Sequence, residues 1–200
     1  MTASDITYYE GMVRWEPDSR GRLEQAAMAL YAERGFENTT VAEIAERAGV
    51  TERTFFRHFA DKREVLFEGS DALKQRLVTA VADAPRSAAP LDAVAVGLEA
   101  IADIFEERRE FSRQRRAIIA SNPELQEREL IKLASFASAL AEVLRRRGVP
   151  DPAAGLAAET GIAVFRIAWE RWTDEDNHRD FARLIREWLD ELRAVTAGAR

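Results

Sequence analysis

Between Thr40 and Phe59 the chain reads TVAEIAERAGVTERTFFRHF, two helical stretches too short to be stable alone and joined through one glycine. Thr40 and Glu43 have the spacing of a capping box, in which a hydroxyl takes a helical N–H and the carboxylate reaches back to the cap. Val41, Ile44, Ala45 and Ala48 follow at helical spacing, and this helix stops at Gly49. Thr51 caps the next one, Glu52 to Phe59. A turn as tight as Ala48-Gly49-Val50 sets two helices at a steep angle, so both must borrow a core from neighbouring segments. Phe55 and Phe59, four apart, turn one face of the second helix toward Ile44 and Leu30. The other face opens with small polar residues and carries Arg53, Thr54, Arg57 and His58. In a helix-turn-helix unit that face enters a major groove, where hydroxyls and guanidinium groups reach base edges and phosphates.

The remainder is helical nearly throughout. Leu23, Ala26, Ala27, Leu30 and Tyr31 form a helical stripe that stops at Gly35, and Asp61-Lys-Arg-Glu64 opens a long fourth helix running to about Ala84. Pro85 and Pro90 bracket a short Ala/Pro/Ser linker. Leu91, Val94, Ala95, Leu98, Ile101, Ala102 and Phe105 make the next stripe, followed by a basic segment from Arg108 to Ser121. Asn122-Pro123 starts a helix carrying Leu130, Leu133, Ala137, Leu140 and Leu144 that stops at Gly148. Asp151-Pro152 starts another with Ile162, Phe165, Trp169 and Trp172, and Phe181, Leu184, Ile185, Trp188, Leu189 and Leu192 mark the last. No β-alternation of useful length occurs. The fold class is all-α, with about nine helices: an arm over 1–17, a three-helix DNA-binding domain over 18–66 with its helix-turn-helix at 40–59, and a helical bundle over 67–200.

Charge bears on the partner. The chain carries a net −6, which disfavours nucleic acid as a partner for the molecule as a whole. The balance reverses locally: between Thr51 and Arg63, Arg53, Arg57, Lys62 and Arg63 face only Glu52 and Asp61. Arg14, Arg20 and Arg22 form a sparse basic arm, either a minor-groove reader or an unbound tail. With 46% hydrophobic residues, no cysteine, no signal-like start and no apolar run long enough to span a membrane, a folded cytoplasmic protein is expected. Two histidines, no thiol and no Glu-x-x-His pair argue against an enzyme and against a bound metal or other cofactor.

The run from RGFENTT through VAEIAERAGVTERTFFRHFADKREVL, roughly Arg20 to Leu66, resembles the DNA-binding region of the TetR family of bacterial repressors. The resemblance implies base or groove contacts from Thr40, Thr51, Glu52, Arg53 and Thr54, and phosphate contacts from the position of Phe56, Arg57, His58 and Lys62. The family usually has tyrosine where this chain has Phe56, so a phosphate-bonding hydroxyl is missing and Arg57 is expected to supply that contact. It also implies that the last two long helices pair with those of a second subunit, giving a homodimer on a palindromic operator through Trp172, Leu184 and Trp188.

The stretch AIADIFEERREFSRQRRAIIASNPELQERE, with AWERWTDED, is similar to the C-terminal domain of a TetR subgroup that includes the mycofactocin regulator, whose members are associated with acyl-CoA-like ligands. That likeness implies a pocket among the middle helices lined by Phe105, Phe111, Arg116, Ile119, Leu133, Phe136, Phe165 and Trp169. Arg108, Arg109, Arg113, Arg115 and Arg116 have two readings: a cradle for the phosphates of a CoA group, or a solvated helix face paired with Glu106, Glu107 and Glu110. The reading that emerges is a repressor released by a small hydrophobic or acyl-CoA-like ligand, with the fourth helix as lever between sensor and DNA. The alternative is a helical adaptor for another protein.

Overall fold

The structure, a computed structural model, describes residues 18–198; the expected arm over 1–17, with Arg14, lies outside them. Nine α-helices and no strand are found among the described residues: α1 (Ser19–Arg34), α2 (Val41–Arg47), α3 (Glu52–His58), α4 (Ser70–Asp83), α5 (Pro90–Glu106), α6 (Arg109–Ala120), α7 (Pro123–Arg146), α8 (Asp151–Trp172) and α9 (Phe181–Thr196). Their starts follow the local chemistry. Asp18, Thr40, Thr51, Asn122 and Asp180 each accept a backbone N–H from the first turn of the helix they precede, satisfying donors that a helix leaves open.

The long fourth helix expected from Asp61 is not continuous. The Asp61 carboxylate accepts the N–H groups of Arg63 (2.8 Å) and Glu64 (3.1 Å), and a single 3-10 turn follows over Glu64–Phe67. Gly69, at φ +76°, then turns the chain into α4, a conformation open to glycine without steric cost. The break has a packing cause. Val65, Leu66 and Phe67 are all buried with the N-terminal helices, whereas Leu77 and Val81 of α4 are buried in a second core. One straight helix cannot serve both cores.

The first core joins Leu23, Leu30, Ile44, Phe55 and Phe59 to Phe67, and it takes in Ile118, Ile119 and Leu125 from the α6–α7 corner. The head built from α1–α3 is therefore seated on that corner through shared apolar side chains. The second core unites α4, α5, α7, α8 and α9 around Leu77, Leu98, Leu140, Leu144, Trp172 and Leu184. Two glycines permit its close crossings. A Cβ on Gly97 would come within 2.5 Å of a Val81 methyl, and one on Gly161 within 2.3 Å of a Val94 methyl.

Candidate nucleic-acid interface

The geometry of α2 and α3 begins with their caps. The Thr40 hydroxyl accepts the Glu43 N–H at 3.2 Å while the Glu43 carboxylate accepts the Thr40 N–H at 2.8 Å. The Thr51 hydroxyl accepts the Thr54 N–H at 3.2 Å and lies 3.1 Å from the Thr54 hydroxyl. Gly49 makes the turn between the helices at φ +67°. Phe55 is wholly buried and Phe59 nearly so, which clamps α3 by one face. Thr40, Thr51, Glu52, Arg53, Phe56 and Arg57 are left exposed, with Thr54 and His58 half-buried beside them.

The electrostatics of this face follow from what the other cations do. Arg20 pairs with Glu68, Arg34 with Glu43, Arg47 with Glu33, and Arg63 with both Asp61 and Glu124. Arg53 and Arg57 have no acidic partner among the described residues. In an acidic chain, the uncompensated positive charge of the helix-turn-helix is thus concentrated on α3.

Lys62 departs from expectation. Its Nζ donates to the carbonyls of Phe36 (2.8 Å), Glu37 (3.3 Å) and Thr39 (2.9 Å) and sits 4.3 Å from the centroid of the Phe36 ring. An ammonium has three protons, so this one is committed to holding the α1–α2 loop and has none left for a phosphate. The Tyr31 hydroxyl, which burial holds in its protonated form, donates to the Lys62 carbonyl at 2.6 Å. His58 lies with its Nε2 2.9 Å from the Ser19 hydroxyl and 3.5 Å from an Arg57 nitrogen. Burial, then Arg57 and Arg20, push its pKa below the ordinary histidine value, with Glu68 opposing. The Ser19 contact, 39 residues away in sequence, had no local signal.

The apolar residues expected to line a pocket divide between the two cores. Phe105, Phe165 and Trp169 meet in an aromatic cluster with Trp172 and Phe181, at centroid separations of 4.7–6.4 Å. Leu133 and Phe136 belong to the same core. Phe111 and Ile119 pack in the head instead, because the apolar face of α6 is the seat of the head. Arg116 is held at the α8–α9 loop, donating to the Glu170 carbonyl, the Thr173 hydroxyl and Asp174 at 2.9 Å each.

The other arginines of the basic run also cross to distant elements, and the reading that pairs them with Glu106, Glu107 and Glu110 is not met among the described residues. Arg108 bonds Glu24 of α1 at 2.6 Å. Arg109 donates to the carbonyls of Trp172, Asn177 and Arg179, and Arg113 to that of Asp174. Arg115 donates to the Leu66 carbonyl (2.6 Å) and to Glu129 (2.8 Å), over the Phe67 ring. Glu106 accepts instead from the Trp172 indole and the Phe181 N–H. Of the residues expected between subunits, Trp172 and Leu184 are 0% exposed within this chain, which leaves them no surface to offer; Trp188 is half-buried. On α8, Leu156 and Ile167 are the exposed large apolar residues, with Thr160 and Ala163 half-buried between them, a spacing of four, three and four that the sequence does contain.

Residues 24–68 match the family described as bacterial regulatory proteins, tetR family, and residues 88–197 match the MftR C-terminal domain. Over 158 residues the chain is 25% identical to the putative mycofactocin biosynthesis transcriptional regulator MftR of Mycobacterium tuberculosis, covering 78% of this chain and 80% of that one. It is 37% identical over 83 residues to the HTH-type transcriptional regulator TcmR of Streptomyces glaucescens, a match spanning 42% of this chain and 37% of the relative. Among solved structures, Thermus thermophilus FadR, a TetR-family repressor in complex with lauroyl-CoA, superposes with a TM-score of 0.54 at 24% identity, over 87% of this chain and 93% of that one.

Proposed function

The chain belongs to the TetR family of bacterial transcriptional regulators, and we propose that it acts in the cytoplasm as a homodimeric repressor that leaves its operator when a hydrophobic, acyl-CoA-like molecule enters its C-terminal body. The observation that carries the DNA half is the exposed face of α3, where Arg53 and Arg57 have no acidic partner among the described residues while Phe55 and Phe59 fix the opposite face. The test is a gel shift of the full chain against the DNA upstream of its own gene. Retarded duplex that competes with itself and not with random DNA is expected; no specific complex at micromolar protein would refute the reading.

His58 gives that binding a pH dependence. Ser19 and Arg20 of α1, Arg57 of α3 and Glu68 face the ring, and Glu64, Asp71 and Lys132 line the depression around it. Without DNA the ring is neutral at pH 7; a phosphate beside it favours the charged form, so binding takes up a proton. Affinity should therefore strengthen as pH falls from 8 to about 6. His58→Gln should remove that part of the slope, and an identical pH profile in the variant would exclude His58 from the interface.

A two-fold dimer suits a palindromic site. Exposed Leu156 and Ile167 on α8 and Val195 on α9, with half-buried Thr160, Ala163 and Trp188 beside them, offer a largely apolar surface for the second copy. Sedimentation should give about twice the 22.5 kDa chain mass, and Leu156→Asp with Ile167→Asp should give folded monomer. A monomeric parent would overturn this.

For the ligand, the partly buried rings of Phe105, Phe165 and Trp169 form an apolar wall between α5 and α8, and the C-terminal match together with the lauroyl-CoA held by the Thermus FadR supports the acyl-CoA class. Ligand at 100 times its dissociation constant adds about 2.7 kcal/mol to stability. Thermal unfolding with a series of acyl-CoAs should therefore show a rise of about 5–10 °C for the preferred chain length, with free CoA inert. No stabilisation at any length would sink the assignment.

A further inference from the structure

We infer that Phe56 reads DNA sequence by packing its ring on the 5-methyl group of a thymine in the major groove. The inference rests on the DNA-binding reading above and adds to it the chemistry of one subsite. Phe56 is 55% exposed, a large apolar surface on a face otherwise made of Thr51, Glu52, Arg53 and Arg57. It is three residues from Arg53 and adjacent to Arg57, the two cations of α3 that have no acidic partner among the described residues, so any duplex drawn to those charges is drawn to this ring. Its edge-on contact with the buried Phe55, at a centroid distance of 5.4 Å and an interplanar angle of 83°, holds the ring from one side only and turns the rest outward.

The chemistry of the partner follows from what the ring lacks. Without a hydroxyl it cannot donate to a phosphate, and covering a phosphate with an apolar ring strips hydration from an anion for nothing in return. The major groove offers one apolar group on its base edges, the thymine 5-methyl. Arg53 and Arg57, which do carry donors, are free to serve guanine edges and phosphates on either side.

The test uses duplexes selected by the full chain from a randomised library, with each thymine of the selected site then replaced singly by deoxyuridine. This removes only the methyl group. Burial of one methyl corresponds to about a fourfold change in affinity, so one thymine per half-site should respond by about fourfold, and symmetric replacement in both half-sites by about 15-fold. Phe56→Ala should bind more weakly and lose that response, while Phe56→Tyr, which keeps the ring, should retain it. A flat deoxyuridine scan, or an unchanged scan in Phe56→Ala, would overturn the inference and leave DNA binding standing. Failure to enrich any sequence would instead overturn the DNA-binding reading.

Discussion

Alanine at Arg53 and Arg57 together should weaken operator binding at least about 100-fold without unfolding the protein. A well-placed arginine–base contact is worth about 1–3 kcal/mol, and a symmetric dimer would lose each interaction twice. The two positions should separate. Arg57→Ala, losing a phosphate contact in each half-site, should lower the slope of log affinity against log salt by about 2. Arg53→Ala should leave the slope less changed and relax discrimination at one base pair per half-site. Both side chains are exposed and have no acidic partner among the described residues, so thermal stability should stay within about 0.5 kcal/mol of the parent. Unchanged affinity and salt slope in the double variant would take α3 out of the interface. Lys62→Ala is the informative contrast: by releasing the carbonyls of Phe36, Glu37 and Thr39 it should lower stability as well as binding.

The second large effect is expected at Arg115, where head meets body. Its guanidinium bridges the Leu66 carbonyl of the 3-10 turn and Glu129 of α7, with the side chain 17% exposed. Burial pulls its pKa down while Glu129 opposes, the balance of a charge removed from water and kept by its partners. Truncation would leave a carboxylate and a main-chain acceptor without their donor. Breaking such a pair costs about 3–5 kcal/mol, and the partial exposure of Glu129 places Arg115→Ala near about 3 kcal/mol. For a chain of this length that is a fall in Tm of about 6–12 °C. Arg115→Lys should recover little, since a point charge cannot serve both acceptors as the fork does. A loss below about 1 kcal/mol would show that the apolar seat of Ile118, Ile119 and Leu125 holds the head by itself. If Arg115 couples the head to the proposed ligand site, its loss should also blunt the release of DNA by that ligand.

The two variants probe features of different visibility in the sequence. The face bearing Arg53 and Arg57 could be placed from the residues themselves, because a capping threonine, a glycine turn and two phenylalanines four apart set α3 and its buried side within a few positions. Arg115 was visible only as one of five arginines in a basic run. Whether it met solvent, a ligand or another helix depended on Leu66 and Glu129, 49 and 14 residues away. Trp172 and Leu184 show the same division. Their helical spacing marked them as apolar-face residues, but only the arrangement of α5, α8 and α9 decided that this face is the inside of the subunit.

The helix-turn-helix at 40–59 was thus determined by the sequence alone, since caps, turns and helical faces rest on interactions spanning one or two turns. Tertiary structure decided which of its cations have no acidic partner among the described residues, that Lys62 is committed to loop carbonyls, and that the chain breaks at Gly69 to divide Phe67 from Leu77 between two cores. The physical reason is reach. A cap finds its partner three residues away whatever the rest of the chain does, whereas a long charged side chain takes whichever acceptor the folded chain brings within its length.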